Sequence, residues 1–190
     1  MLDCSVEITA IRSSNISDRL WLCWGHVDNW RSLQIVLKSE EWLNKANAVF
    51  TPTTFIAYKS KMPVGMIEFM PQKLLKQFGL CPCRIDVEHQ ETENRYIFGK
   101  DFGDYLFISC LSVARAHQRK GVGKALLNHF LGSKVLREHS GALVYIREKD
   151  QSWESFIHWP AGPEEFYFKA GFSTIKNLNA PAGRILCYRR

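Results

Sequence analysis

Residues 118–124 read Gln-Arg-Lys-Gly-Val-Gly-Lys, which sets three cations around two glycines. Such a set can hold an anion. Glycine has no Cβ, so a ligand can come close to the backbone and positive φ is open to it. The next residues place Ala125, Leu126, Leu127, Phe130, Leu131, Val135 and Leu136 along Lys124–Arg137, an apolar stripe at helical spacing. The glycines therefore fall at a helix start. There the first N–H groups lack partners and the helix dipole is positive. From Tyr105 to Arg137 the chain carries Arg115, Arg119, Lys120, Lys124, Lys134 and Arg137 and no Asp or Glu. Phosphate is the anion this arrangement suits best.

Two common phosphate patterns fail here. A P-loop needs G-x-x-x-x-G-K-[ST]. Gly123-Lys124 supplies its end, but Gln118 stands where the first Gly belongs and Ala125 replaces the Ser or Thr that would hold Mg²⁺. The dinucleotide fingerprint G-x-G-x-x-G fails because Ala125-Leu126 follows Gly123 and no third Gly comes. What fits is Q-x-x-G-x-G between a strand and a helix. The strand is Leu106–Val113, a nearly continuous apolar run rich in β-formers, as expected for burial on both faces.

The elements that must position this loop can be taken in chain order. Val6–Arg12 alternates as a strand. Ile16–Trp24 reads as a short helix behind the cap candidates Ser13, Ser14, Asn15, Ser17 and Asp18. Asp28 can cap a second helix reaching about Lys45. Trp21, Trp24 and Trp30 cluster here, and aromatics so spaced belong to a core more often than to a ligand cage. Thr53–Lys59 and Val64–Met70 form a hairpin around Ser60-Lys61-Met62-Pro63. Residues 71–104 lose periodicity, apart from a short helix at Gln72–Phe78, and read as an extended insertion. Ala142–Arg147 is a second buried strand. Glu164–Ala170 is a short helix stopped by Gly171, and Phe172–Lys176 and Arg184–Arg189 end a sheet. The order is mixed α/β, with a right-handed crossover expected for the parallel pair.

Composition bounds the alternatives. At 190 residues, with 46% hydrophobic and 13% aromatic content, the chain reads as a single globular domain, 1–190, that needs no staples. The cysteines at 4, 23, 81, 83, 110 and 187 lack zinc-ligand spacing, so no metal is expected and the thiols read as reduced and cytoplasmic. No apolar run reaches the ~18–20 residues of a membrane span, and without a basic n-region followed by an apolar h-region no signal peptide is expected. The net charge of +6 raises nucleic acid as a partner. The acid-free window at the phosphate loop accounts for part of that excess without a basic stripe of interleaved aromatics, which argues against it.

A second motif closes the chain: Phe166-Tyr167-Phe168-Lys169-Ala170-Gly171-Phe172. Together, Q-x-x-G-x-G and F-Y-x-K-x-G-F resemble the signatures of the GNAT superfamily, the Gcn5-related N-acetyltransferases. The element order matches that topology over nearly the whole chain. The resemblance implies a GNAT acyl-CoA N-acyltransferase fold: a mixed, mostly antiparallel sheet, a parallel pair splayed around the coenzyme, and helices on both faces. It implies acetyl-CoA as co-substrate, with its pyrophosphate on Gln118, Arg119, Lys120, Gly121, Val122, Gly123 and Lys124. Its pantetheine arm would lie against Leu111, Ser112 and Val113. The Leu111 N–H would hold the acetyl carbonyl, and Val113 would pair with the arm like a neighbouring strand. The early helices would border the acceptor pocket.

The resemblance makes Tyr167 the general acid. A phenol of pKa about 10 stays protonated at neutral pH and can pass its proton to a leaving thiolate of pKa about 8.5. Deprotonation of the acceptor is harder to place. A lysine-like amine is neutral about once in 2,500 molecules at pH 7, a cost of about 4–5 kcal/mol, against about 1 kcal/mol for an α-amine. Some GNAT enzymes carry a Glu where this chain has Phe107. Glu68 is the chosen base, on the hairpin strand that flanks the cleft, ahead of Asp104 and Glu148. Pro160 stands where relatives often carry an Asn that contacts the coenzyme. Cys110 beside the acetyl position reads as a small buried strand residue. The reading is an acetyl-CoA-dependent N-acetyltransferase using direct transfer in a ternary complex to a primary amine, on a small molecule or a protein. The rival is a non-catalytic acyl-CoA-binding module, a sensor or accessory subunit. Arg184–Arg189 offers a strand for homodimer pairing.

Overall fold

A computed structural model describes residues 5–24, 33–79, 102–147, 164–179 and 182–190. Among these, seven strands form one sheet: β1 (Glu7–Ala10), β2 (Thr54–Lys59), β3 (Met62–Pro71), β4 (Tyr105–Val113), β5 (Gly141–Arg147), β6 (Ser173–Asn179) and β7 (Ala182–Arg189). Their order is β1-β2-β3-β4-β5-β7-β6. Only β4 and β5 pair in parallel; the other neighbours are antiparallel. The helices are α1 (Ile16–Trp24), α2 (Leu33–Val49), α3 (Gln72–Phe78), α4 (Val122–Leu131), α5 (Lys134–Arg137) and α6 (Glu164–Phe168). This is the mixed, helix-flanked sheet with a parallel pair that the sequence implies.

The central strands are covered on both faces, which is why they read as apolar runs rather than alternations. On one face Phe55, Ile67, Phe69, Leu106 and Ile108 pack with Val122, Leu126, Leu127 and Phe130 of α4. Each of those α4 side chains contributes about 1.5–3 kcal/mol by leaving water. On the other face Met70, Phe107, Leu143 and Ile185 pack with Ile16 and Leu20 of α1, Trp42, Leu43 and Ala46 of α2, and Leu75 of α3. Gly65 lets α4 settle onto β3. A Cβ there would lie 3.0 Å from the Ser112 carbonyl oxygen and 3.1 Å from Val122 Cγ1 and Leu126 Cδ1.

Several boundaries differ from the sequence reading. The β2–β3 turn is only Ser60-Lys61, both at positive φ (49° and 66°), the two-residue geometry that matches strand twist. Met62 and Pro63 thus belong to β3, where a register shift at Ala57/Tyr58 accommodates the proline. The single helix expected over Lys124–Arg137 starts earlier, at Val122, and breaks at Gly132-Ser133. Ser133 Oγ accepts from the Leu136 N–H at 3.3 Å and donates to the Phe130 carbonyl at 2.6 Å, so it ends one helix and caps the next. Of the 71–104 insertion, α3 is present as expected, and residues 80–101 lie outside the described ones.

Candidate active site

The site begins where the parallel pair ends. β4 pairs with β5 from Tyr105↔Gly141 to Ile108↔Val144. Beyond that, β5 follows β7 as far as Arg147, and β4 follows β3 as far as Val113. Two strands held by different neighbours diverge, and a gap opens between Ser109–Val113 and Tyr145–Arg147. A bulge starts the divergence. Glu68 opposes Cys110 while Phe69 opposes Ile108, which leaves Ser109 as the extra residue of β4. A bulge bends its strand and turns the side chains beyond it in a new direction. The backbone of Leu111, Ser112 and Val113 therefore lines the gap without a β5 partner.

The glycine loop sits at the end of that gap. After Val113, the Ala114 N–H donates to the Val64 carbonyl at 2.9 Å, and a 3₁₀ turn, Arg115–His117, leads to Gln118. The Gln118 side-chain amide donates to the Val113 carbonyl at 3.1 Å and ties the loop to the strand. Arg119 and Gly121 both take positive φ, 57° and 86°. Gly121 is the N-cap of α4, with no side-chain cap, and its carbonyl accepts from the Ala125 N–H at 2.9 Å. The N–H groups of Val122, Gly123 and Lys124 precede the first helical bond, so they point out of the α4 start. Arg119, Lys120 and Lys124 are exposed around them, while Val122 is buried in the core.

Gly123 is the meeting point of the two motifs. A Cβ placed on it would lie 3.5 Å from Leu111 Cδ2, 3.6 Å from Val113 Cγ2 and 3.8 Å from Phe166 Cζ. Helix α6 of the closing motif is thus seated against the loop and the β4 edge. Arg184 on β7 pins α6, its Nη1 lying 2.9 and 3.1 Å from the two Glu164 carboxylate oxygens. Tyr167 is fully buried, in edge contact with Phe166 (5.1 Å between centroids) and Phe172 (5.3 Å). The turn after it uses Gly171 at φ 93°, with the Phe172 N–H donating to the Tyr167 carbonyl at 3.1 Å.

Glu68 lies at the other side of β4, opposite Cys110 and so beside Leu111 in register. It is buried. Arg19 Nη2 of α1 donates to Oε2, and the Ser109 hydroxyl donates to Oε1 at 2.7 Å. Asp104 is not brought here. It precedes the far end of β4, roughly 23 Å along the strand from Leu111 at about 3.3 Å per residue, and pairs with His139 Nδ1 at 2.6 Å. Glu148 and Pro160 lie outside the described residues. Phe107 is buried in the face that holds α2. Cys110 is buried, outside any disulfide, against Leu22, Ile56 and Met66.

Arg19 and Ser109 do not stand out in the sequence motifs. A signal for Arg19 does exist: it falls on the same stripe of α1 as Ile16, Leu20 and Cys23, a charge on an apolar face. Ser109 has none, because a bulge depends on the partner strand. Among the described residues no group of three His, Cys, Asp or Glu side chains could hold a metal, and no helix is long and apolar enough to cross a membrane.

An open-ended parallel pair, a glycine turn at a helix start and a tyrosine helix thus meet at one place. The sequence matches the acetyltransferase (GNAT) family over residues 14–154. The chain belongs to the GNAT family. The closing Tyr motif lies beyond the matched span. Solved structures with the same fold include Naa50 of Arabidopsis thaliana bound to the bisubstrate analogue CoA-Ac-MVNAL, at 17% identity, TM-score 0.54, covering 98% of this chain and 99% of that one. The ribosomal-protein-S18-alanine N-acetyltransferase of Escherichia coli is similar at 10% identity, TM-score 0.55, covering 97% and 94%. A GNAT family acetyltransferase of Brucella melitensis in complex with acetyl-CoA is similar at 15% identity, TM-score 0.54, covering 97% and 88%. No curated protein matches the sequence.

Proposed function

We propose that this protein is an acetyl-CoA-dependent N-acetyltransferase that passes acetyl to a primary amine by direct attack in a ternary complex. The observation that carries the reading is the convergence at Gly123 of the phosphate loop, the unpaired edge of β4 and the tyrosine helix. The N–H groups at the α4 start, with Arg119, Lys120 and Lys124, would take the coenzyme pyrophosphate. Val113 would pair with the pantetheine arm. The Leu111 N–H would donate to the carbonyl oxygen as it becomes an oxyanion, a role for which fixed backbone donors are well suited. Tyr167 would protonate the leaving sulfur, and Glu68 would receive the proton of the attacking amine. Structures of this fold holding acetyl-CoA or a CoA–peptide analogue support the co-substrate and an amine acceptor.

Isothermal titration with acetyl-CoA tests the binding half. Saturable heat at micromolar concentration is expected, and none at high micromolar would end the proposal. Tyr167→Phe tests the chemical half. It should lower turnover about 100-fold, within the usual range for a general acid, and leave coenzyme affinity largely intact. Unchanged turnover would remove Tyr167 from the mechanism. The second reading, a binding module without catalysis, is favoured by Phe107, which puts a core side chain where some relatives have a base. Coenzyme binding with no transfer across a broad amine panel would establish it.

A further inference from the structure

Among the described residues, the buried chain of contacts Arg19–Glu68–Ser109 is the polar assembly at the start of the gap, and two of its three members have no part in the chemistry proposed above. We propose that Ser109 is a catalytic relay: its hydroxyl carries the proton of the attacking amine to Glu68, with Arg19 as the positioning residue that aims the carboxylate. This rests on the N-acetyltransferase reading.

Three observations support it. Both Glu68 oxygens already accept a hydrogen bond, Oε2 from Arg19 and Oε1 from the Ser109 hydroxyl at 2.7 Å, which narrows the directions left for a direct approach. The Ser109 hydroxyl spends its only hydrogen on Glu68, so its oxygen keeps lone pairs to accept a proton from another donor. Ser109 is also the bulged residue of β4, the first beyond the last β4–β5 pair and two before Leu111. A bulge at that place turns a side chain which a regular strand would direct elsewhere. The ion pair with Arg19 gives the carboxylate a fixed orientation, as a relay requires.

The step balances. The amine nitrogen bonds to the acetyl carbon, and its proton passes to Ser109 Oγ directly or through one water. The Ser109 hydroxyl proton passes to Glu68 Oε1. The carbon–sulfur bond breaks, and the Tyr167 proton goes to sulfur. After the product leaves, the Glu68 proton returns through the Ser109 hydroxyl to solvent, and a proton from solvent restores Tyr167.

The test is a double-mutant cycle in the full-length protein, with kcat, KM for the amine and Kd for acetyl-CoA each measured. Ser109→Ala and Glu68→Gln should each lower kcat about 100-fold, the low end for general-base catalysis, with acetyl-CoA Kd within about threefold of wild type. The double variant should be no slower than Glu68→Gln alone, since both act on one proton. Ser109→Thr, which keeps the hydroxyl, should restore most of the rate. An unchanged kcat in Ser109→Ala, or multiplying losses in the double variant, would overturn the relay alone. A wild-type protein that binds acetyl-CoA but acetylates no amine would overturn the enzyme reading and the relay with it.

Discussion

The two sides of β4 solve the problem of holding charge in opposite ways. On the α4 side the cations are exposed beside the unpaired backbone N–H groups of a helix start. On the α1 side Arg19 and Glu68 are buried and satisfy each other. The first arrangement leaves its charges open to solvent and adds little to the fold. The second is buried, with a partner on each carboxylate oxygen, and is bound up with the fold. At the α4 start the exposed cations surround glycine and backbone; under α1 the charges are side chains buried by a helix.

The largest expected effect breaks the buried side. Arg19→Ala leaves the Glu68 carboxylate without its cation inside the core, which costs about 3–5 kcal/mol of stability. For a chain of this size that lowers Tm by roughly 6–20 °C, at about 2–4 °C per kcal/mol. Replacing both partners, Arg19→Met with Glu68→Met, should recover most of that loss, because the desolvation of two ions disappears together. Calorimetric melting of the three variants checks it. A Tm within about 2 °C of wild type for Arg19→Ala would mean that the pair is not sealed from water.

The exposed side should respond in the opposite sense. Gly123→Trp fills the junction of α4, β4 and α6 with an indole. Acetyl-CoA affinity should fall by at least about 100-fold, or about 2.7 kcal/mol. A Cβ alone fits the position: its nearest atoms would stand at 3.5–3.8 Å, ordinary contact distances. Gly123→Ala should melt no lower than wild type, since Gly gives up roughly 1 kcal/mol to Ala in a helix. If Gly123→Trp bound acetyl-CoA like wild type by titration, the coenzyme would have to lie elsewhere.

The same division explains what could be read from the sequence. Gln118, Gly121 and Gly123 work through neighbours within a few residues, so their pattern and context are visible on one line of text. The closing Tyr167–Gly171 turn is likewise local, and the buried strands announced themselves by composition. The Ser133 break of the α4–α5 run escaped because the apolar stripe continues across it. Ser109 and Arg19 escaped for a deeper reason. Glu68 meets partners 49 residues upstream and 41 downstream, and the bulge that turns Ser109 toward it exists only as a difference in register between two strands.

The smallest effect sharpens the contrast within α1 itself. Asp18, next to Arg19, also binds the sheet through a charge: the Tyr58 hydroxyl donates to Asp18 Oδ2 at 2.7 Å. This contact is half-buried where Arg19–Glu68 is sealed. Burial first, and then the Asp18 carboxylate, push the Tyr58 phenol from 10.0 up to about 12. The folded protein therefore holds this proton more tightly than the unfolded chain. The resulting stability is fully present below pH 10 and is lost as pH rises through about 12. Tyr58→Phe removes the titrating group. Denaturant midpoints between about pH 9 and pH 11.5 should fall less steeply for the variant than for wild type, and by a modest margin, because solvent screens so open a pair. Parallel midpoints would show that Asp18 does not hold the phenol proton, and would leave Arg19 as the charged anchor of α1 on this face.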